Sequence, residues 1–322
     1  MTKKIINKLK GPIFSIITPF KKKEQIDYIA LRKHIKFMYI RGARNFYLMV
    51  YNSRLGLLDE KEIINLNLFC IKVVKGFNKK NIIICAEPYH CSTRKSIKLI
   101  NIFSKSGADI VSVIFGEKYY SNEQVFSHFK LIHDNTKAFL MLHQQLLENG
   151  ISGNPPTRFY PVDLLVKICS LRRFVAMKED AKNDEYTKRI CQKLKHKISI
   201  ITSGRGKKQW MKAHQYGCQS WLSGASNLDP KLAINFYKNF KNKNTQYVEK
   251  HFNYVEDPFF KVVDKFGWHL TIKGFLEYFG HFKRYERRPL KELDRKQYVY
   301  LKTQAKKILY NSEKINGEKY FK

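Results

Sequence analysis

The sequence predicts an α/β fold, a (β/α)8 TIM barrel with additional C-terminal helices. Three observations point there. Eight short runs are near-continuously apolar and rich in β-branched or aromatic residues, as strands covered on both faces are. They alternate with segments whose apolar residues recur at helical spacing, with no break in composition. No G-x-G-x-x-G follows the first run, so the doubly wound dinucleotide-binding sheet loses its main signature.

In chain order the first run is 12–18 (PIFSIIT), followed by a helix over 29–40 with Leu31, Ile35 and Met38 on one side. Run 45–50 (NFYLMV) precedes a helix over 62–74 that groups Ile63, Leu66, Phe69 and Val73. Run 82–86 (IIICA) leads to a helix over 93–106, with Ser92 placed as its N-cap. Run 110–115 (IVSVIF) leads to a helix over 122–133, where Ser121 and Gln124 have capping-box spacing. Run 138–143 (AFLMLH), helix 162–170, run 174–178 (FVAMK) and helix 184–194 continue the alternation. Run 198–203 (ISIITS), helix 207–216, run 220–224 (SWLSG) and helix 230–240 complete it, with Asp229 and Pro230 as N-cap and first helical residue. Gly42, Gly107 and Gly217 stand where helices need a left-handed stop. The barrel is expected over 1–240. A C-terminal helical extension is expected over 241–322, from segments 248–266, 271–282 and 289–310, packed on the barrel or at a subunit interface.

Composition excludes several classes. With 322 residues and 43% apolar content, the chain can bury a full core without cross-links. The six cysteines are scattered without C-x-x-C pairs, so reduced thiols are expected, with no metal site and no cofactor. No run of about 18 apolar residues is present, and the charged opening has no apolar segment behind it, so neither a membrane span nor a signal peptide is expected. A cytoplasmic protein follows. The formal net charge is +34, from 61 basic and 27 acidic residues. Lysine dominates (47 against 14 arginines) and is spread end to end, alongside abundant Asn, Ile, Tyr and Phe, the pattern an AT-rich coding bias gives. Nucleic acid is therefore not the expected partner, because readers of it more often cluster Arg on one element. A polyanion-binding protein remains an alternative.

In such barrels the working residues stand at the C-terminal ends of the strands. Those positions hold Thr18, the segment Tyr51, Asn52, Ser53 and Arg54, then Glu87 with His90, and Tyr119 with Tyr120. Later strands end at His143, at Lys178 with Glu179 and Asp180, at Ser203 with Arg205, and at Gly224. Lys178 carries the most information. A lysine at the end of an apolar strand in a barrel mouth loses hydration, which favours the neutral amine. That amine can add to a ketone and form a Schiff base, an electron sink for making or breaking carbon–carbon bonds. The other reading is a rim lysine paired with Glu179 or Asp180.

The motifs GPIFSIITPF (11–20), LLDEKE (57–62), SGADIVSVI (106–114), KYYSNEQVFSHFKLI (118–132) and FVAMKED (174–180) occur in an order and spacing that resemble the dihydrodipicolinate synthase / N-acetylneuraminate lyase family. The resemblance implies a class I aldolase-type lyase or synthase acting on pyruvate or another 2-oxo acid. Lys178 would form the imine, and Tyr120 would match a tyrosine that reaches a neighbouring subunit's site. A homo-oligomer, dimer or tetramer, is implied. The substrate carboxylate would lie at Asn52 and Ser53, with Thr18, Ser203 and Gly224 around it and Arg54 or Arg205 as a cationic contact.

The chain departs from the family at that loop, where Val50–Arg54 replaces Gly-Thr-Thr-Gly-Glu. It departs again where His143 replaces the tyrosine that relays protons. No arginine follows; the sequence runs QQLLENGISGNPP. An imidazole there can donate and accept protons near neutral pH, or serve as a hydrogen-bonded structural histidine. A barrel that has lost catalysis and acts as a binding or regulatory protein is the remaining alternative.

Overall fold

A computed structural model describes residues 2–117, 119, 121–148, 157–203 and 206–318. Its strands are β1 (Gly11–Ser15), β2 (Asn45–Tyr47), β3 (Ile82–Ala86), β4 (Ile110–Val113), β5 (Leu140–Gln144), β6 (Leu147–Glu148), β7 (Thr157–Arg158), β8 (Phe174–Glu179), β9 (Ser199–Thr202) and β10 (Ser220–Leu222). All but β6 and β7 form one closed parallel barrel in the order β1-β10-β9-β8-β5-β4-β3-β2, the TIM barrel expected from the eight runs. β6 and β7 make a separate antiparallel ribbon. The eight runs all become strands, several of them shorter than predicted, while β1 starts one residue earlier and β5 and β8 each run one residue further.

The chain divides into two units, residues 1–13 with 44–222 and residues 14–43 with 223–322. In the first, the helices are α1 (Thr2–Lys8), α3 (Glu60–Phe77), α4 (Thr93–Lys105), α5 (Asn122–Asp134), α6 (Val162–Cys169), α7 (Asp184–Leu194) and α8 (Gly206–His214). α1 was not expected; its Ile5 is the apolar residue that buries it. The predicted caps Ser92 and Ser121 are in place, accepting from Lys95 N and Gln124 N; Asp59, which was not predicted, forms a full capping box with Glu62. Gly107 and Gly217 end helices at φ +103° and +108°, a region where a side chain would be strained. Inside the barrel, Tyr47 of β2 and Ser112 of β4 are bonded at 2.8 Å across an intervening strand, filling the interior as alternate strands do.

The second unit holds α2 (Tyr28–Ile40), α9 (Pro230–Lys241), α10 (Thr245–His251), α11 (Asp257–Phe266), α12 (Trp268–Tyr278) and α13 (Arg295–Asn316). Ile17, Leu232, Phe259, Phe275, Leu301 and Ile308 belong to its apolar core. The single helix expected over 248–266 is interrupted by a π-turn, Phe252–Glu256. Pro258 explains it. It has no N–H to offer the Tyr254 carbonyl, and the Asp257 N–H instead reaches Phe252 O, five residues back. Asn311 Nδ2 of α13 donates to the Tyr254 carbonyl so released, at 3.3 Å. α12 and α13 approach closely at Gly274, where a Cβ would stand 2.7 Å from a Leu301 methyl. Among the described residues no helix is long and apolar enough to cross a membrane.

Candidate active site

Every residue of β8 is buried, and its alternation separates two acids. Glu179 faces away from Lys178. Its oxygens accept from Ala181 N at 2.7 Å and from Thr187 Oγ1 of α7 at 2.9 Å. Burial pushes its carboxyl up, against those two bonds. Asp180, two residues beyond Lys178, returns to the lysine's side. The parallel register sets His143 of β5 directly beside Lys178, so both side chains leave the sheet on the same face.

Lys178 is 0% exposed and His143 1%. The Lys178 Nζ lies 2.9 Å from His143 Nε2 and 2.7 Å from Asp180 Oδ2. The second Asp180 oxygen accepts from Ser203 Oγ at 2.9 Å, and the Asp180 N–H donates to Gln144 Oε1 at 3.3 Å. His143 Nε2 is 3.8 Å from Asp180 Oδ2, within ion-pair range but beyond a hydrogen bond. The Asp180 side chain retains 16% exposure, so solvent reaches the cluster at the carboxylate while the amine is covered.

Electrostatics follow from that packing. Burial pulls the Lys178 amine below its ordinary range, and Asp180 works against the pull. Burial, then the neighbouring ammonium, lowers His143 to about 4. Burial alone would raise Asp180, but the Lys178 charge and the His143 ring outweigh it and hold the carboxyl well below the usual carboxylate range. At neutral pH the imidazole is neutral and Asp180 is a carboxylate. In its charged form Lys178 can only donate to Nε2, which leaves the imidazole proton on Nδ1.

Above His143 stands Tyr51, from the loop after β2. Its ring meets the imidazole edge-on at 6.1 Å and lies 6.0 Å from Tyr89, and its hydroxyl donates to Gln145 Oε1 at 2.5 Å. That loop is tightly wound, with Ser53 N donating to Met49 O at 2.8 Å and Leu55 N to Val50 O at 3.0 Å. Asn52, Ser53 and Arg54 are all buried. Arg54 adopts φ +60°, and its Nη1 donates to Tyr51 O at 3.3 Å, so its guanidinium turns back on its own loop.

Of the expected site residues, Lys178, His143 and Ser203 are brought together, joined by Asp180. The lysine–aspartate pair of the alternative reading is present, with the lysine buried and the aspartate partly exposed. Thr18 is buried in the second unit. Gly224 belongs there too, where its carbonyl accepts from Asn227 N at 3.1 Å. Tyr120 and Arg205 lie outside the described residues. His90 is exposed beside Glu117 at 3.8 Å, and the Cys91 thiol is pushed up to about 12 by burial. No group of three His, Cys, Asp or Glu residues that could hold a metal occurs among the described residues.

Sequence reasoning placed Asp180 and Tyr51 at strand ends but gave neither a catalytic or substrate-binding role. The two-residue step from Lys178 was the available signal for Asp180; nothing local signals the ring of Tyr51 over His143. Glu87, at the end of β3, is also fully buried. Burial pushes its carboxyl up to about 7, although Ser96 and the Ile114 N–H, 3.0 Å from Oε1, favour the charged form.

Comparison with known proteins agrees with the fold. The profile of the Dihydrodipicolinate synthetase family matches residues 8–308. The 4-hydroxy-tetrahydrodipicolinate synthase of Anaplasma marginale (strain Florida) is 24% identical over 234 residues, 72% of each chain. That of Ehrlichia canis (strain Jake) is 26% identical over 236 residues, 72% of this chain and 75% of the relative. Among solved structures, the dihydrodipicolinate synthase of Oceanobacillus iheyensis superposes with a TM-score of 0.82 at 16% identity, covering 95% of this chain and 98% of the other. At that identity the superposition speaks for the fold.

Proposed function

This chain belongs to the dihydrodipicolinate synthetase family, and on that premise we propose that it is a Schiff-base-forming lyase or synthase acting on pyruvate or another 2-oxo acid. The family supports an aldolase-type lyase or synthase; the lysine imine and the substrate are our reading. One observation carries it: a fully buried amine at the end of a barrel strand, touched by an imidazole and a carboxylate.

The chemistry is written with Lys178 as nucleophile. The ammonium and the keto group condense to an iminium and water, with one positive charge before and after. The iminium then loses a proton from the adjacent carbon. That C–H electron pair forms the enamine double bond, and the proton goes to His143 Nε2. The enamine carbon attacks an electrophile of the aldehyde or imine class, and the proton on His143 passes to the electrophile's oxygen or nitrogen. Run backwards, the same steps cleave the bond. An imidazole is suited to both transfers because it accepts and returns a proton near neutral pH. Its depressed basicity in the resting site comes partly from the ammonium beside it, and that charge is gone once the enamine forms. We place the substrate carboxylate against Asn52 and Ser53, Tyr120 in a neighbouring subunit's site, and the chain in a homo-oligomer.

Borohydride reduction in the presence of pyruvate, or of a panel of 2-oxo acids, tests the reading. The expected result is a reduced adduct that peptide mapping places on Lys178 and that Lys178→Ala does not form. No adduct with any 2-oxo acid in the panel would favour a barrel that binds without catalysis.

A further inference from the structure

The steps written above have a common electrostatic feature. The ammonium, the iminium and the imidazolium that accompanies the enamine each carry one positive charge, and that charge moves only between Lys178 Nζ and His143 Nε2. A single carboxylate faces both atoms, with Asp180 Oδ2 at 2.7 Å from the first and 3.8 Å from the second. Its other oxygen is fixed by Ser203 Oγ and its backbone N–H by the Gln144 side chain. The anion is therefore held in place whichever partner carries the charge. Glu179, the other acid on this strand, is pinned on the opposite face by Thr187 and Ala181 and does not share the task.

We propose that Asp180 is the fixed counter-ion of the site: it anchors the Lys178 amine beside His143 and balances the positive charge as that charge passes from one nitrogen to the other. The inference rests on the reading of Lys178 as nucleophile and adds a residue to it. The charged and titratable groups acting on the cluster include His143 from β5, Glu179 of β8, Lys182 just beyond it, Tyr47 of β2 and Tyr51 of the loop after β2. Of these, Glu179 also favours the charged amine, from across the strand, while Lys182 opposes it. Among the described residues Asp180 is the acid that bonds to the amine, and it is open to solvent on its far side.

The role separates from mere structural support in a pH profile. An opposite charge at this range holds an ammonium in its charged form over roughly 1–3 additional pH units. Competitive acetylation of the protein, read at Lys178 by mass spectrometry across a pH series, reports the amine's own titration without any substrate. Asp180→Asn is expected to move the midpoint of Lys178 reactivity down by roughly 1–3 pH units. Asp180→Glu, which keeps the charge, is expected to return it most of the way. Turnover of Asp180→Asn should fall in kcat more than it rises in KM, since the charge is balanced during the reaction steps.

An unmoved midpoint in a folded Asp180→Asn protein overturns the proposal. If that variant does not fold, Ser203→Ala, which frees one carboxylate oxygen, is expected to shift the midpoint in the same direction by less; no downward shift there overturns it equally. A midpoint that moves as expected in a protein forming no borohydride adduct would uphold the counter-ion and defeat the 2-oxo acid reading.

Discussion

Replacing Lys178 with Met removes a charge from a site that contains an anion. Methionine keeps most of the lysine's volume, so packing loss is small and the electrostatic consequence stands out. Asp180 then has its Ser203 and Gln144 contacts but, among the described residues, no cation within bonding distance. Breaking a buried pair from one side costs about 3–5 kcal/mol, because an uncompensated charge is left behind. The 16% exposure of the Asp180 side chain argues for the lower end of that range. The double variant Lys178→Met/Asp180→Asn removes the orphaned charge and should recover most of the loss, since neutral replacements of buried pairs are often close to neutral in stability.

The assay is a urea-denaturation double-mutant cycle at neutral pH, with Asp180→Asn as the other single. Asp180→Asn should cost less than Lys178→Met, because the amine can shed its proton. Lowering the pH should shrink the cost of Lys178→Met as Asp180, freed of the ammonium, becomes protonated. A Lys178→Met protein that loses less than about 1 kcal/mol, with no coupling in the cycle, would refute the picture of a buried, mutually dependent pair.

Other outcomes follow from named contacts. His143→Phe should still form the borohydride-trapped imine but turn over roughly 100-fold or more slowly, and normal turnover would remove His143 from proton transfer. Glu87 holds its proton in the folded state up to about 7, whereas the unfolded chain releases it near 4.5. The native state therefore binds more protons between those values, and stability falls as pH rises across that window, by on the order of 3 kcal/mol. Glu87→Gln should flatten the dependence, measured by denaturation across pH; an unchanged slope would mean that another group sets it. Leu301→Ala, in the core of the second unit beside Gly274, should cost about 2–5 kcal/mol in urea unfolding, and a loss below 1 kcal/mol would place Leu301 at the edge of that core.

The strands and their connecting helices were legible because burial on both faces leaves a continuous apolar signature, and because caps such as Ser121 and Asp229 are local chemistry. Lys178 was legible for a related reason: a charged residue closing an apolar strand is conspicuous in one dimension. The partnership around it was harder to see. His143 meets Lys178 through the register of β5 on β8, a pairing of residues 35 apart that no local pattern encodes. Asp180 was present in the alternation but looked like a rim partner, since sequence does not give depth. For Arg54, read as a cationic contact, the left-handed backbone and the bond from Nη1 to Tyr51 O come from the winding of its loop, which depends on tertiary packing. The π-turn had a local cause in Pro258, but helical periodicity runs through it unbroken.

A crystal of the protein soaked with pyruvate tests the central claim most directly. The account predicts continuous electron density from Lys178 Nζ to the former keto carbon, with His143 and Asp180 still on either side of the nitrogen. A ligand resolved elsewhere in the barrel, with the amine unmodified and still paired to Asp180, would contradict it.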